Sequence, residues 1–241
     1  MARSLSARGR FVLAYLALAA IGGAALGGFI VFVKRPGPKP PTPWSTWKPE
    51  AAGSVGTTVQ AIASHIAGSY RQSDGSKLTR VVTAAPSQEA GNFEAIALAD
   101  RPGSVTVYPS VGTILFTLCG NAGNCRIEGQ SIAHGDVLRR EALELALYTL
   151  KYAKAADVAV FFPPAEGQTR SANVLFFPRE DFAEQLDRPL SVTLPHTRAP
   201  SRGRIDAREL QTIDNLTGGR RFHFVVQKID GRRVLVLQPV A

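Results

Sequence analysis

The longest run of hydrophobic positions lies near the start of the chain. From Phe11 to Val33 it reads FVLAYLALAAIGGAALGGFIVFV, 23 residues without a charge, Asn, Gln or Pro. A helix of this length reaches ~34 Å, enough for a hydrocarbon core of ~30 Å. The pattern predicts a transmembrane helix over 11–33. A short tail, 1–10, precedes it; a proline-rich linker, 34–52, follows; residues 53–241 form one domain. Within the run small residues recur four apart. Gly23 and Gly27 give the spacing that lets two helix backbones approach, which reads either as a face for a second copy or a partner helix or as the small residues common in membrane helices generally.

Beyond the linker the period of the pattern changes several times. Val59, Ile62, Ala63, Ile66 and Tyr70 share one face of a helix over 57–70, with Thr57 and Gln60 spaced as a capping box. Strands are expected at 78–83, 93–99, 105–108 and 112–118. The stretch HGDVLRREALELALYTLKYAK, 134–154, has the broadest apolar face, with Leu138, Ala142, Leu145, Tyr148 and Tyr152 in one row. It reads as a helix packed on a sheet, with Asp136 as N-cap and Lys151 and Lys154 at the end that favours positive charge. The apolar runs 158–162 and 173–177 read as a buried hairpin. A short helix is expected at 179–186, a strand at 190–194, a basic loop at 195–204 and a helical turn at 206–212. Asp230-Gly231 between two β-rich runs signals a terminal hairpin, 221–229 with 232–238. Together these elements make an α+β domain: a mostly antiparallel sheet packed by two main helices.

Charge reinforces the membrane reading. The chain carries a net +9, yet seven bases and no acid fall within residues 1–48, flanking the apolar run. The rest is nearly balanced, which argues against a nucleic-acid partner and for lipid headgroups. Arginines before the helix and the α-amino group place the tail in the cytoplasm and the domain outside. The apolar run exceeds a signal-peptide core and continues past its small residues, so the helix is expected to stay uncleaved as a signal anchor. One local basic patch remains in the domain: Arg198, Arg202, Arg204, Arg220, Arg221, Arg232 and Arg233. It reads as a solvated face or as a dock for an anionic polymer, lipid or protein.

Export also decides the chemistry of the only two cysteines. Cys119 and Cys125 bracket Gly-Asn-Ala-Gly-Asn, a sequence that tolerates tight backbone, and outside the cell they are expected to form a disulfide. The rivals lack support, since a metal site needs more ligands and a redox dithiol favours Cys-x-x-Cys. Catalytic motifs are weak. His65, His134, His196 and His223 are scattered, with no pair at metal-binding spacing. Gly-x-Ser-x-Gly and phosphate-binding glycine loops are missing. His134 and Asp136 could pair as base and orienter, but a loop and helix cap account for them. Glu141 and Glu144 could form a hydrolytic carboxylate pair; interleaved with Arg139 and Arg140, they read instead as a salt-bridged outer helix face. No cofactor is expected.

The order of parts resembles uncharacterised, membrane-anchored exported proteins of high-GC Gram-positive bacteria. The likeness rests on the basic tail, the single helix, the linker Pro40-Pro41-Thr42-Pro43-Trp44-Ser45 with Trp47, and the segment Ile66 to Arg71. It implies export and anchorage and transfers no catalytic residue. The expected protein is a single-pass, non-enzymatic envelope protein with a binding or accessory role; the alternative is an exported hydrolase.

Overall fold

Helix α1, Val55–Ser69, shows how pattern becomes packing. Ser54 caps it through Oγ, which accepts the Thr57 N–H at 3.3 Å. The cap is therefore Ser54, three residues before the predicted one at Thr57. Val59, Ile62 and Ile66 are fully buried, each contributing about 1.5–3 kcal/mol over an exposed position. The computed structural model describes residues 11–12, 15–21, 43–50, 53–72, 74–101, 104–120, 125, 127, 132–163, 173–196 and 205–240.

The chain divides into two units, Met1–Thr42 and Pro43–Ala241. In the first, residues 11–12 and 15–21 are helical. Among the described residues no helix is long and apolar enough to cross a membrane. Gly23, Gly27 and most of the expected span lie outside the described residues.

The second unit is α+β. Its strands are β1 (Arg80–Pro86), β2 (Ala95–Arg101), β3 (Ser104–Pro109), β4 (Thr113–Cys119), β5 (Asp157–Phe162), β6 (Asn173–Pro178), β7 (Arg221–Ile229) and β8 (Arg232–Pro239). They form one eight-stranded sheet in the order β1-β4-β5-β6-β7-β8-β2-β3. Only β4 with β5 and β2 with β8 run parallel; the other pairs are antiparallel. The predicted buried hairpin is present as β5–β6. Between β7 and β8, Asp230 and Gly231 both take positive φ (50° and 81°), as a tight hairpin turn of matching twist requires.

Helices α2 (Ile132–Tyr148) and α3 (Ala207–Thr217) complete the main elements. Helix α2 starts before the predicted cap, so Asp136 lies inside its first turns. Its last turn widens into a π-helical turn, Thr149–Ala153, whose neighbouring carbonyls at Leu150 and Ala155 accept from Arg179. The expected strand at 190–194 is instead a short helical turn, Leu190–Thr193. Pro189 in front of it and the bond from Leu190 N–H to the Trp44 carbonyl at 2.6 Å draw that segment away from the sheet.

Two cores result. The first lies between α1, α2 and the sheet: Ile62, Ile66, Leu143 and Leu147 meet Phe116, Val160 and Phe177. The second fills the opposite face, with Ile96, Leu115, Phe161, Phe176, Leu235 and Leu237. Tyr108 of β3 stands edge-on to Phe176 of β6 at 5.1 Å, although β3 is the last strand of the sheet and β6 a central one. The sheet therefore coils until its end covers its middle, an extreme of ordinary β-twist.

Candidate functional site

The tail of the linker belongs to the folded unit. Trp44 stands edge-on to Tyr148 and Tyr152, and its indole N–H donates to the Gln185 carbonyl at 3.1 Å. Trp47 stacks on His65, rings 3.9 Å apart and 5° from parallel. Both tryptophans are committed to the domain surface, and His65 is partly covered by one of them. Burial lowers its pKa.

The most concentrated chemistry lies beneath α2. Arg140 is fully buried. Its Nε donates to Glu209 Oε1 at 2.8 Å, its Nη1 to Glu144 Oε2 at 3.0 Å and to the Tyr70 hydroxyl, and its Nη2 to the His196 carbonyl at 2.8 Å. Tyr70 donates onward to Glu144 at 2.6 Å. His196 Nδ1 meets the other oxygen of Glu209. One guanidinium thus ties together α1, α2, α3 and the loop after Leu194. Burial raises the Tyr70 pKa, helped by Glu144. It raises Glu144 too, against the attraction of Arg140.

Glu141, one residue on, is also fully buried. It accepts from Thr79 Oγ1 at 2.6 Å, while its other oxygen has no hydrogen-bond partner. Burial pushes its pKa up to about 8. Of the salt-bridged outer face expected at Glu141 and Glu144, the pairing is present, Arg140 with Glu144, but the face is not an outer one: Arg140 and Glu141 are fully buried. That face of α2 is covered by Tyr70 and Thr79 from one side and by Glu209 from the other. The sequence carried no signal for this, because interleaved acids and bases on a helix read equally well as a solvated face. Glu209 and Tyr70, its partners, carry none either and were not singled out as site residues.

His196, Asp206 and Glu209 offer ligand atoms within 4.8 Å of one another, close enough to hold a cation. Their capacity is already used: both Glu209 oxygens are engaged, and Asp206 Oδ1 caps α3 by accepting the Glu209 N–H at 2.8 Å. No metal site is assigned to them.

Two surface recesses adjoin these elements. A cleft of 570 Å³ lies at the start of α2, with Leu138, Phe162 and Leu175 as apolar lining and Asp136, Arg139, Thr217 and Arg221 as polar lining. Its polar groups are mostly spent on each other. Arg139 pairs with Asp136 at 2.7 Å and Asp214 at 2.6 Å and donates to Thr217 at 3.3 Å. His134, considered with Asp136 as a base and its orienter, is buried and does not line the cleft.

The second recess, 370 Å³, runs between α1 and β1. Gln60, Ala63, Ser64 and Ala67, spaced i, i+3, i+4, i+7, form its helical wall; Lys77, Thr79, Arg80, Val81, Val82 and Ala84 form the other. Strand β1 ends the sheet order, and its outer side has no partner strand among the described residues. A bulge between Val81 and Thr83 leaves Val82 out of register with β4, its side chain exposed.

The predicted disulfide is present: Cys119 and Cys125 are joined, with Cα atoms 4.4 Å apart, closing a short ring at the end of β4. The basic patch is dispersed among its described members. Arg220 pairs with Asp181 at 2.6 Å and lies over Phe182; Arg221 opens on the cleft. Arg232 reaches Glu94 at 3.5 Å, and Arg233 lies over Phe93. The two pairs sit at opposite ends of the β7–β8 hairpin, about 26 Å apart at strand rise. Arg198, Arg202 and Arg204 lie outside the described residues.

These features define a class: a disulfide-bearing α+β domain with a coiled eight-stranded sheet and an internal ionic network. Compared with family models, with curated proteins and with solved structures, the chain matches none.

Proposed function

We propose that the chain is a single-pass, membrane-anchored protein of the cell envelope whose extracytoplasmic domain works by binding rather than catalysis. One observation carries this reading: apart from Glu141, which is shut away from solvent, the charged groups around α2 are engaged with one another. Arg140, Glu144, Glu209 and His196 form one closed set. Asp136 and Thr217 are held by Arg139. What stays open is backbone and surface, above all the outer side of β1.

The anchor is supported by the uncharged run 11–33 and the basic residues around it. Trp44 packs on the domain, so no more than ten residues, 34–43, separate it from the end of that run. The lipid bilayer and a protein neighbour in or on it are then the natural partners, and Gly23 and Gly27 provide a helix face for self-association or for that neighbour.

The test is photo-crosslinking of the full chain in its native membrane, with identification of what is captured. Capture of one discrete membrane or envelope protein supports the reading; recovery of the chain alone, or of a soluble cytoplasmic protein, refutes it. The alternative, an exported hydrolase acting on an envelope substrate, draws on the 570 Å³ cleft and Asp136 within it. Turnover of a cell-wall glycan or peptide that Asp136→Asn abolishes would establish it instead.

A further inference from the structure

We infer that the groove between α1 and β1 takes an extended, acidic segment of a partner polypeptide, which joins the sheet as a further strand beside β1. The inference rests on reading the domain as a binding module and adds the site and the chemistry of its ligand; it does not depend on the membrane anchor.

Three observations converge. First, among the described residues β1 pairs with β4 along one side only and is the terminal strand, so every second residue directs its N–H and C=O away from the sheet. Second, a helix flanks that side. Ala63 and Ala67 are small where they face the groove, which leaves 370 Å³ open where larger side chains would close it. A free edge beside a helix is the arrangement in which a peptide gains main-chain hydrogen bonds from the strand and side-chain contacts from the helix. Third, the lining is of one sign: Lys77 and Arg80 are basic, and none of the lining residues is acidic.

The details specify the ligand. A strand added to β1 presents alternate side chains to the groove. Those directed inward meet Ala63, Ala67 and the exposed Val82, so they must be small and apolar. Those near the start of β1 meet Arg80, which is exposed and forms no ion pair among the described residues, and they should be Glu or Asp.

The experiment uses the full chain in lipid nanodiscs and a fluorescein-labelled peptide of alternating Glu and Val, read by anisotropy and by amide hydrogen exchange. Binding should saturate below about 1 mM. The Lys-Val counterpart should bind at least about tenfold more weakly, and N-methylation along one edge of the peptide should abolish binding, since main-chain pairing is required. On binding, exchange in Arg80–Pro86 should slow by about tenfold or more. Arg80→Glu should reverse the preference between the two peptides. Ser64→Trp, at an exposed position of the groove wall, should abolish binding while the circular dichroism stays native. Equal binding of the acidic and basic peptides, protection at β3 rather than β1, or no binding at that concentration would overturn the proposal. A partner captured in the membrane without protection at β1 would refute this site and leave the binding-module reading standing; protection at β1 with no membrane partner captured would support the site and overturn the envelope-partner reading.

Discussion

Arg140 and Glu141 are adjacent in sequence and answer to opposite physics. Arg140 brings three elements together through charged hydrogen bonds. Replacing it by Met leaves Glu144 and Glu209 buried without a cation, at a cost of about 3–5 kcal/mol. Urea unfolding of Arg140→Met checks this; a loss under 1 kcal/mol would mean the carboxylates find other partners. Glu141 lacks a cation within its shell and holds its proton, so its folded pKa, about 8, lies above its unfolded one. The folded state then binds more protons than the unfolded state between pH ~4.5 and ~8. Its contribution is complete below that window and is lost as pH rises through it. Stability should therefore fall from pH 5 to 8.5, and Glu141→Gln should flatten that slope. Midpoints of unfolding at the two pH values decide it; an unchanged slope would show that Glu141 does not titrate there. Asp157, pushed up to about 6 by burial, contributes in the same direction and must be tested separately with Asp157→Asn.

Among the elements, the linker end and the cysteine ring make distinct claims. Trp44 and Trp47 pack on Tyr148, Tyr152 and His65 from a segment that is otherwise proline and polar residues. Trp44→Ala should destabilise the domain by about 2–4 kcal/mol, a little less than a fully buried tryptophan. It should also speed proteolysis between Pro43 and Pro49. Unchanged cleavage in the double alanine variant would mean the segment is held by something else. The Cys119–Cys125 ring is short, so its effect on the unfolded chain is modest. Cys119→Ser with Cys125→Ser should cost about 2–2.5 kcal/mol in the chain-entropy account. A domain that melts at the same temperature with and without reductant would contradict it. Helix α1 and hairpins β5–β6 and β7–β8 were legible because their periods and turn residues act locally. The run 190–194 was not, because Pro189 and the Trp44 carbonyl decide its conformation.

On the scale of the molecule, the sheet is the organising object. Its coil buries a second core without a second layer of helices and brings Tyr108 over Phe176. On the helix side, α1 and α2 cover β1, β4, β5 and β6, while Val105, Val107, Val225 and Ile229 stay exposed on the other strands. Membrane topology belongs to this scale too. In spheroplasts, cysteines introduced at Ser6 and Val192 should label oppositely with an impermeant maleimide, Val192→Cys reactive and Ser6→Cys protected. Equal labelling would overturn the proposed orientation.

Residue order by itself determined what depends on neighbours along the chain: the helix and strand periods, the Asp-Gly turn, the pairing of two nearby cysteines, and the long uncharged run near the start. Tertiary structure alone decided which polar residues are inside. Glu141 and Glu144 look solvated on a helix wheel that cannot know Tyr70, Thr79 and Glu209 will cover them. The groove beside β1 has the same origin. Small residues on α1 and a basic residue on β1 mean nothing until a coiled sheet makes β1 its end and α1 its flank, because an unpaired edge is a property of the whole sheet.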